Sequence, residues 1–250
     1  MNEKNITSFQ ETYTLPSKGL IYDNIPSEVT IRSMTTFEEK MRLGSQGFYT
    51  KICNILNRVV TDPEEFDAKE LALFDFYFLM YKMRSVSYGS NYNVSIKCPH
   101  CGKTVSLKVD LDELKVNYLS EEQKEPFTIG PLPRTGDLIG CKHLRVKDQI
   151  WIEKRGEEIL SKSKDYIGDP EYILRMASWI KTVNGEPIHD TEGYIMKLTA
   201  MDSAYLTQKY NEKSTNIGLD ILVEKECPSC GENISFGLPF TSEFFRPTYD

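Results

Sequence analysis

The sequence is poor in the residues that most often carry chemistry. It holds three histidines in 250 residues, which leaves little general acid–base capacity. It contains no Gly-x-Ser-x-Gly elbow, no Gly-x-x-x-x-Gly-Lys phosphate loop and no His-Glu-x-x-His metal-protease pattern. No apolar run approaches the roughly 20 residues of a membrane span; the longest, Leu71 to Met80, is interrupted by Asp75. Basic residues are outnumbered, 30 against 37 acidic, for a net charge of -7 and a pI near 5.2. That balance argues against nucleic acid as a partner, because phosphate contacts need a surplus of Lys and Arg on some face. Met1 to Thr14 is polar and lacks the basic patch and apolar stretch of an export signal, so a cytoplasmic protein is expected. Composition otherwise reads as folded, with 40% hydrophobic and 27% charged residues.

The pattern along the chain predicts an α+β protein. Residues 1–27, punctuated by Pro16, Gly19 and Pro26, read as an extended N-terminal arm with Leu15, Leu20, Ile21 and Tyr22 as anchoring side chains. Residues 28–90 read as a strand plus helices: Val29 to Arg32 alternates, Thr35 or Thr36 caps a helix, and Phe48 to Val60 carries a helical stripe. The strongest helix is expected from Ala68 to Ser87, capped by Asp67 with Glu70 in capping-box position, apolar nearly all round and therefore central to the core. Residues 91–110 and 218–238 alternate as strands on either side of two cysteine pairs. Between them, 111–217 read as a mixed and helical insertion, with brief strands in Phe127 to Val146 and helices at Ile150 to Ser163, Pro170 to Lys181 and Thr191 to Asn211. Residues 239–250 form an aromatic tail.

One constellation carries chemistry. Cys98-Pro99-His100-Cys101-Gly102 and Cys227-Pro228-Ser229-Cys230-Gly231 repeat the pattern Cys-Pro-x-Cys-Gly between strands. Proline fixes the backbone after the first thiol, and glycine admits the left-handed conformation needed past the second. Two such turns supply four sulfurs, a closed tetrahedral shell for structural Zn2+ with no position left for water or substrate. A thioredoxin-like redox pair is the rival reading, but that motif sits at a helix start and occurs singly. Cys101 and Cys227 are 126 positions apart, so the expected fold is a split four-cysteine zinc ribbon of β-hairpins, with helices before it and a helical insertion inside it. Closing so long a loop makes the metal a strong clamp.

Other residues take plainer roles. His100 is expected to point outward, Cys141 and His143 to pack, Cys53 to be a buried thiol and His189 to lie on the surface. Lys97, Lys103, Lys108 and Lys225 balance the charge of the thiolates. The tail aromatics Phe240, Phe244, Phe245 and Tyr249 either pack on their own ribbon or dock into a neighbour.

The order of these features resembles the baseplate hub family of contractile-tailed bacteriophages of the T4 type. The resemblance rests on Leu15-Pro16-Ser17-Lys18-Gly19-Leu20-Ile21-Tyr22, on Ile31 to Glu39, and on Phe74-Asp75-Phe76 through Met83 to Gly89 leading into Cys98 to Cys101. Trp179 to Glu186 and the second cysteine pair also fit. It implies a non-enzymatic structural or assembly component at the baseplate centre, made in the host cytoplasm and resident in the virion. Its partners would be other hub, spike, wedge or tail proteins, in an oligomeric assembly. The rival classes are an assembly chaperone that leaves before maturation and a zinc-ribbon adaptor for nucleic acid or a polymerase.

Overall fold

Strand β1 (Gln10–Thr14) lies in what the sequence suggests is a free arm. In the computed structural model, which describes residues 9–163, 166–240 and 244–246, it pairs antiparallel along its whole length with β2 (Glu28–Arg32). The arm reading is therefore corrected for residues 9–27: Leu15 and Ser17 are fully buried, and the segment is part of the main core.

Helix α1 (Thr36–Arg42) starts at Thr35 through a capping box, Thr35 accepting from the Phe37 N–H while Glu38 reaches back to the Thr35 N–H. Glu38 is buried between Arg32 (2.9 Å) and Arg58 (3.1 Å). Burial pushes its carboxyl up, but hydrogen bonds from Arg32 and Thr35 outweigh it and hold the pKa at about 2. Helix α2 (Phe48–Val59) buries its Ile52, Ile55, Leu56 and Val59 stripe, and β3 (Val60–Asp62) closes the first sheet in the order β1-β2-β3.

The central helix α3 spans Leu73–Tyr88, not Ala68 to Ser87. Asp67 does cap a turn, but only a short 3-10 one at Ala68–Glu70. Residues 71–73 instead zip onto the insertion: Val146 donates to the Leu71 carbonyl (2.9 Å) and Leu73 to that of Leu144 (3.0 Å). Ala72 donates to the Tyr22 hydroxyl (2.8 Å). These tertiary bonds hold 71–72 extended and delay the helix. The buried charged groups of α3 are each answered. Asp75 accepts from the Ser17 N–H (3.0 Å) and the Tyr22 hydroxyl (2.6 Å), Lys82 pairs with Asp112 (2.8 Å), and the Arg84 guanidinium donates to the carbonyls of Gly89, Asn91 and Phe244. Arg145, stacked over Tyr22, donates to the Ile21 carbonyl (2.9 Å) and pairs with Glu125 (2.8 Å). The Leu15 to Tyr22 motif and the Phe74-Asp75-Phe76 motif are thus halves of one interior latch.

Burial raises the Asp75 carboxyl to about 6, against the hydrogen bonds from Ser17 and Tyr22 and the charge of Arg145. A raised acid binds its proton in the folded state before it does so in the unfolded chain. Its stabilising contribution is therefore present below about pH 4 and lost as pH rises through about 6. Unfolding in denaturant at stepped pH should show stability falling across that window relative to Asp75→Asn, the difference between the two curves isolating this group from Glu38, which titrates lower. Parallel curves would rule out the ionisation assigned to Asp75.

Two hairpin strands follow, β4 (Asn91–Lys97) and β5 (Thr104–Asp110), paired in register through seven residues. The insertion enters through β6 (Val116–Asn117). It contains β7 (Phe127–Ile129), β8 (Ile139–Cys141), α4 (Val146–Lys162), α5 (Pro170–Trp179), β9 (Ile180–Val183), β10 (Glu186–Pro187), α6 (Thr191–Ile195) and α7 (Ala200–Ser214). It leaves through β11 (Gly218–Leu219), which pairs with β6 and ties its two ends at a neck. The insertion has its own sheet, in the order β10-β9-β8-β7, and its own core around Ile139, Ile152, Leu174, Trp179 and Leu206. Two expected helices are corrected here. The run at Pro170 to Lys181 ends at Trp179 because Ile180 begins a strand against β8, and the run at Thr191 to Asn211 is two helices because Thr199 caps α7 at the Asp202 N–H. The second hairpin, β12 (Leu222–Glu226) with β13 (Asn233–Gly237), returns to the main core.

The tail also joins that core. Phe244 and Phe245 are buried, Phe244 with its ring 4.8 Å from Tyr81 and 5.3 Å from Tyr92, whereas Phe240 is exposed. Tyr249 lies outside the described residues.

Candidate metal centre

The two cysteine turns are built alike. In the first, the Cys98 N–H donates to the Lys103 carbonyl (2.9 Å) and the Gly102 N–H to that of Cys98 (2.9 Å); in the second, Cys227 donates to Glu232 (2.8 Å) and Gly231 to Cys227 (2.9 Å). Gly102 and Gly231 adopt φ of 71° and 76°, the left-handed conformation for which glycine is suited. Each turn joins antiparallel strands, and in each the first cysteine is more buried than the second. Cys98 and Cys227 are buried, Cys101 is half-buried and Cys230 exposed.

The fold brings the pairs face to face. All four sulfurs lie within 4.8 Å of one another, with Cys98 to Cys230 at 3.8 Å and Cys101 to Cys227 at 4.0 Å. These separations are far beyond the roughly 2.0 Å of a disulfide, and all the cysteines are free thiols. The set can hold a metal ion. Burial resists ionisation at Cys227, but the N–H groups of Ser229 and Cys230 outweigh it and hold that thiol below its ordinary value. Crowding by three sulfurs and burial push Cys230 up to about 12 despite the Glu232 N–H.

The other candidates lie apart from this cluster. His100 is exposed and its Nε2 donates to the Asn233 carbonyl across the two turns (3.2 Å). Cys53 and Cys141 are buried in separate cores, their thiols pushed up to about 12 by burial. His143 is buried between the rings of Phe74 and Phe127, and its Nε2 donates to the Gln123 carbonyl (2.7 Å); burial lowers its pKa and keeps it neutral. His189 is exposed. Lys97, Lys103 and Lys108 are exposed around the hairpins, and Lys225 is half-buried. Among the described residues no helix is long and apolar enough to cross a membrane.

Compared with known proteins, residues 8–246 match the family described as T4 bacteriophage base plate protein. No match was found among curated proteins or among solved structures.

Proposed function

The chain belongs to the T4 bacteriophage base plate protein family, and from that premise we propose that it is a structural component of the hub region of a contractile tail baseplate, acting by docking to other tail proteins and carrying no enzymatic activity. The match across nearly the whole chain carries this reading. It is supported by where the motifs that resemble hub proteins sit: they build the Ser17, Tyr22 and Asp75 latch, a device for rigidity rather than for turnover. The chain would be made in the host cytoplasm and act in the tail of the virion.

We infer further that the four cysteines hold structural zinc and so complete a split ribbon. Four sulfurs about 2.3 Å from a central Zn2+ form a tetrahedron with edges of about 3.8 Å. The observed 3.8 and 4.0 Å separations fit that figure. Such a shell is closed, and zinc held this way joins two hairpins without offering a site to substrate.

Quantitative mass spectrometry of purified particles tests the placement. A constant ratio of this chain to the other baseplate proteins is the expected result. Its presence during assembly but absence from finished particles would replace the structural role with that of a chaperone.

A further inference from the structure

Where the main core meets the core of the insertion, the surface stays open. A groove of about 680 Å3 runs between α2 and α3 on one side and α5, α7 and β11 on the other. Its walls are mostly aromatic and aliphatic, with Phe74, Tyr77, Trp179, Tyr210 and Phe240 among them. That volume lies in the range of about 300 to 1,000 Å3 used for ligand or side-chain capture. Three large side chains at its lip are substantially exposed, Tyr77 at 37%, Ile221 at 42% and Phe240 at 44%.

The charge of the lining is as telling as its shape. In a chain with 37 acidic residues, no Asp or Glu among the described residues lines the groove. Its ionised group is Arg175, since His143 is kept neutral by burial. Arg175 donates to Gln149 (2.9 Å) and to Glu171 (3.2 Å), the latter across a half-exposed ion pair. Half-exposed pairs of that kind contribute little, so the guanidinium is free to turn to a better carboxylate. Asn211, exposed at the edge, offers an amide to a peptide backbone.

Resting on the docking role above, we propose that this groove receives an apolar segment of a neighbouring tail protein, seated by one or two aromatic or branched side chains and carrying a carboxylate that pairs with Arg175.

The test uses overlapping 12-residue peptides spanning the other tail proteins of the same particle, titrated against the purified full chain. Trp179 in the groove wall supplies the fluorescence signal. A peptide with an apolar anchor and an acidic residue should bind, and Tyr77→Glu or Ile221→Glu should weaken it tenfold or more with metal content and melting temperature unchanged. Arg175→Glu should weaken that peptide more than its amide analogue, and Arg175→Lys should retain most of the difference. Peptide binding indifferent to all four substitutions, or no binding, would overturn the proposal. So would decanoate binding without any peptide, or a dimer lost in Tyr77→Glu. In particles, a Tyr77→Glu chain incorporated at the wild-type ratio sinks the groove alone, whereas absence of the wild-type chain sinks the baseplate role on which it rests.

Discussion

Purified without chelator, the chain is expected to carry one zinc per molecule, and stripping that metal should unfold the two hairpins while the insertion stays folded. The contrast follows from the separate cores. Val94, Leu107, Val223 and Ile234 of the hairpins belong to the main core with Cys98 and Cys227, whereas Trp179 and its neighbours belong to the insertion, whose ends are tied at β6 and β11. Structural zinc contributes roughly 10 kcal/mol or more to the folded form of small sites. A loss above about 4 kcal/mol is therefore expected here, lowering the melting temperature by about 8 to 16 °C at roughly 2 to 4 °C per kcal/mol. Both tryptophans, Trp151 and Trp179, lie in the insertion, so their fluorescence follows it alone while far-ultraviolet dichroism follows the whole. Cys98→Ser and Cys230→Ser should reproduce the loss. Cys53→Ser and Cys141→Ala should keep full zinc and cost only about 1 to 3 kcal/mol by repacking. Less than about half an equivalent of zinc in a fully folded preparation, or equal zinc loss in all four variants, would refute the assignment.

Arg84→Met should be nearly as damaging, although residue 84 touches neither metal nor groove. The guanidinium is fully buried and has carbonyls rather than a carboxylate around it, those of Gly89, Asn91 and Phe244. Removing it strips a charge-assisted hydrogen bond from three carbonyls, leaving the buried one of Phe244 unsatisfied and those of Gly89 and Asn91, which are only partly buried, to water. A total of about 3 to 5 kcal/mol is expected, read as a shift in the denaturant midpoint. Arg84→Lys should not restore it, because one ammonium cannot serve three directions as a planar fork does. The loss should be accompanied by rapid proteolysis of the tail, since the Phe244 carbonyl is one of the bonds removed. An Arg84→Met chain with a wild-type midpoint and an intact tail would show that the tail is held by its rings alone.

The latch and the tail were the parts least legible in the sequence, and the reason is distance along the chain. Asp75 lies 58 positions from Ser17, and Arg84 lies 160 from Phe244. No local pattern reports such partners, so the arm reads as free and the acid in an apolar helix as an interruption. Strand β1, Gln-Glu-Thr-Tyr-Thr, has no apolar alternation to announce it. By contrast, the cysteine cluster was legible because each half is defined within six residues by its own backbone hydrogen bonds, and repetition of the pattern named the partner. The hairpins showed through alternation, and α1 through the Thr35 and Glu38 box. Helix boundaries failed where tertiary bonds intervened, as at 71–72. The groove was invisible for a further reason: it belongs to neither core but to the space between them.

The neck and the division of the cysteine cluster between two hairpins distant in sequence also set an order of events during synthesis. Cys98 and Cys101 leave the ribosome 126 positions ahead of Cys227 and Cys230. At about 5 to 20 residues per second that is an interval of roughly 6 to 25 seconds. Throughout it the nascent chain presents two thiols, a poor metal site, while the insertion has time to fold on its own core. Only a chain translated past Cys230 can bring all four cysteines together. With zinc held as proposed, metal capture would come only after the whole insertion has been made, and a product truncated within the insertion would lack the second hairpin and half of the ligands.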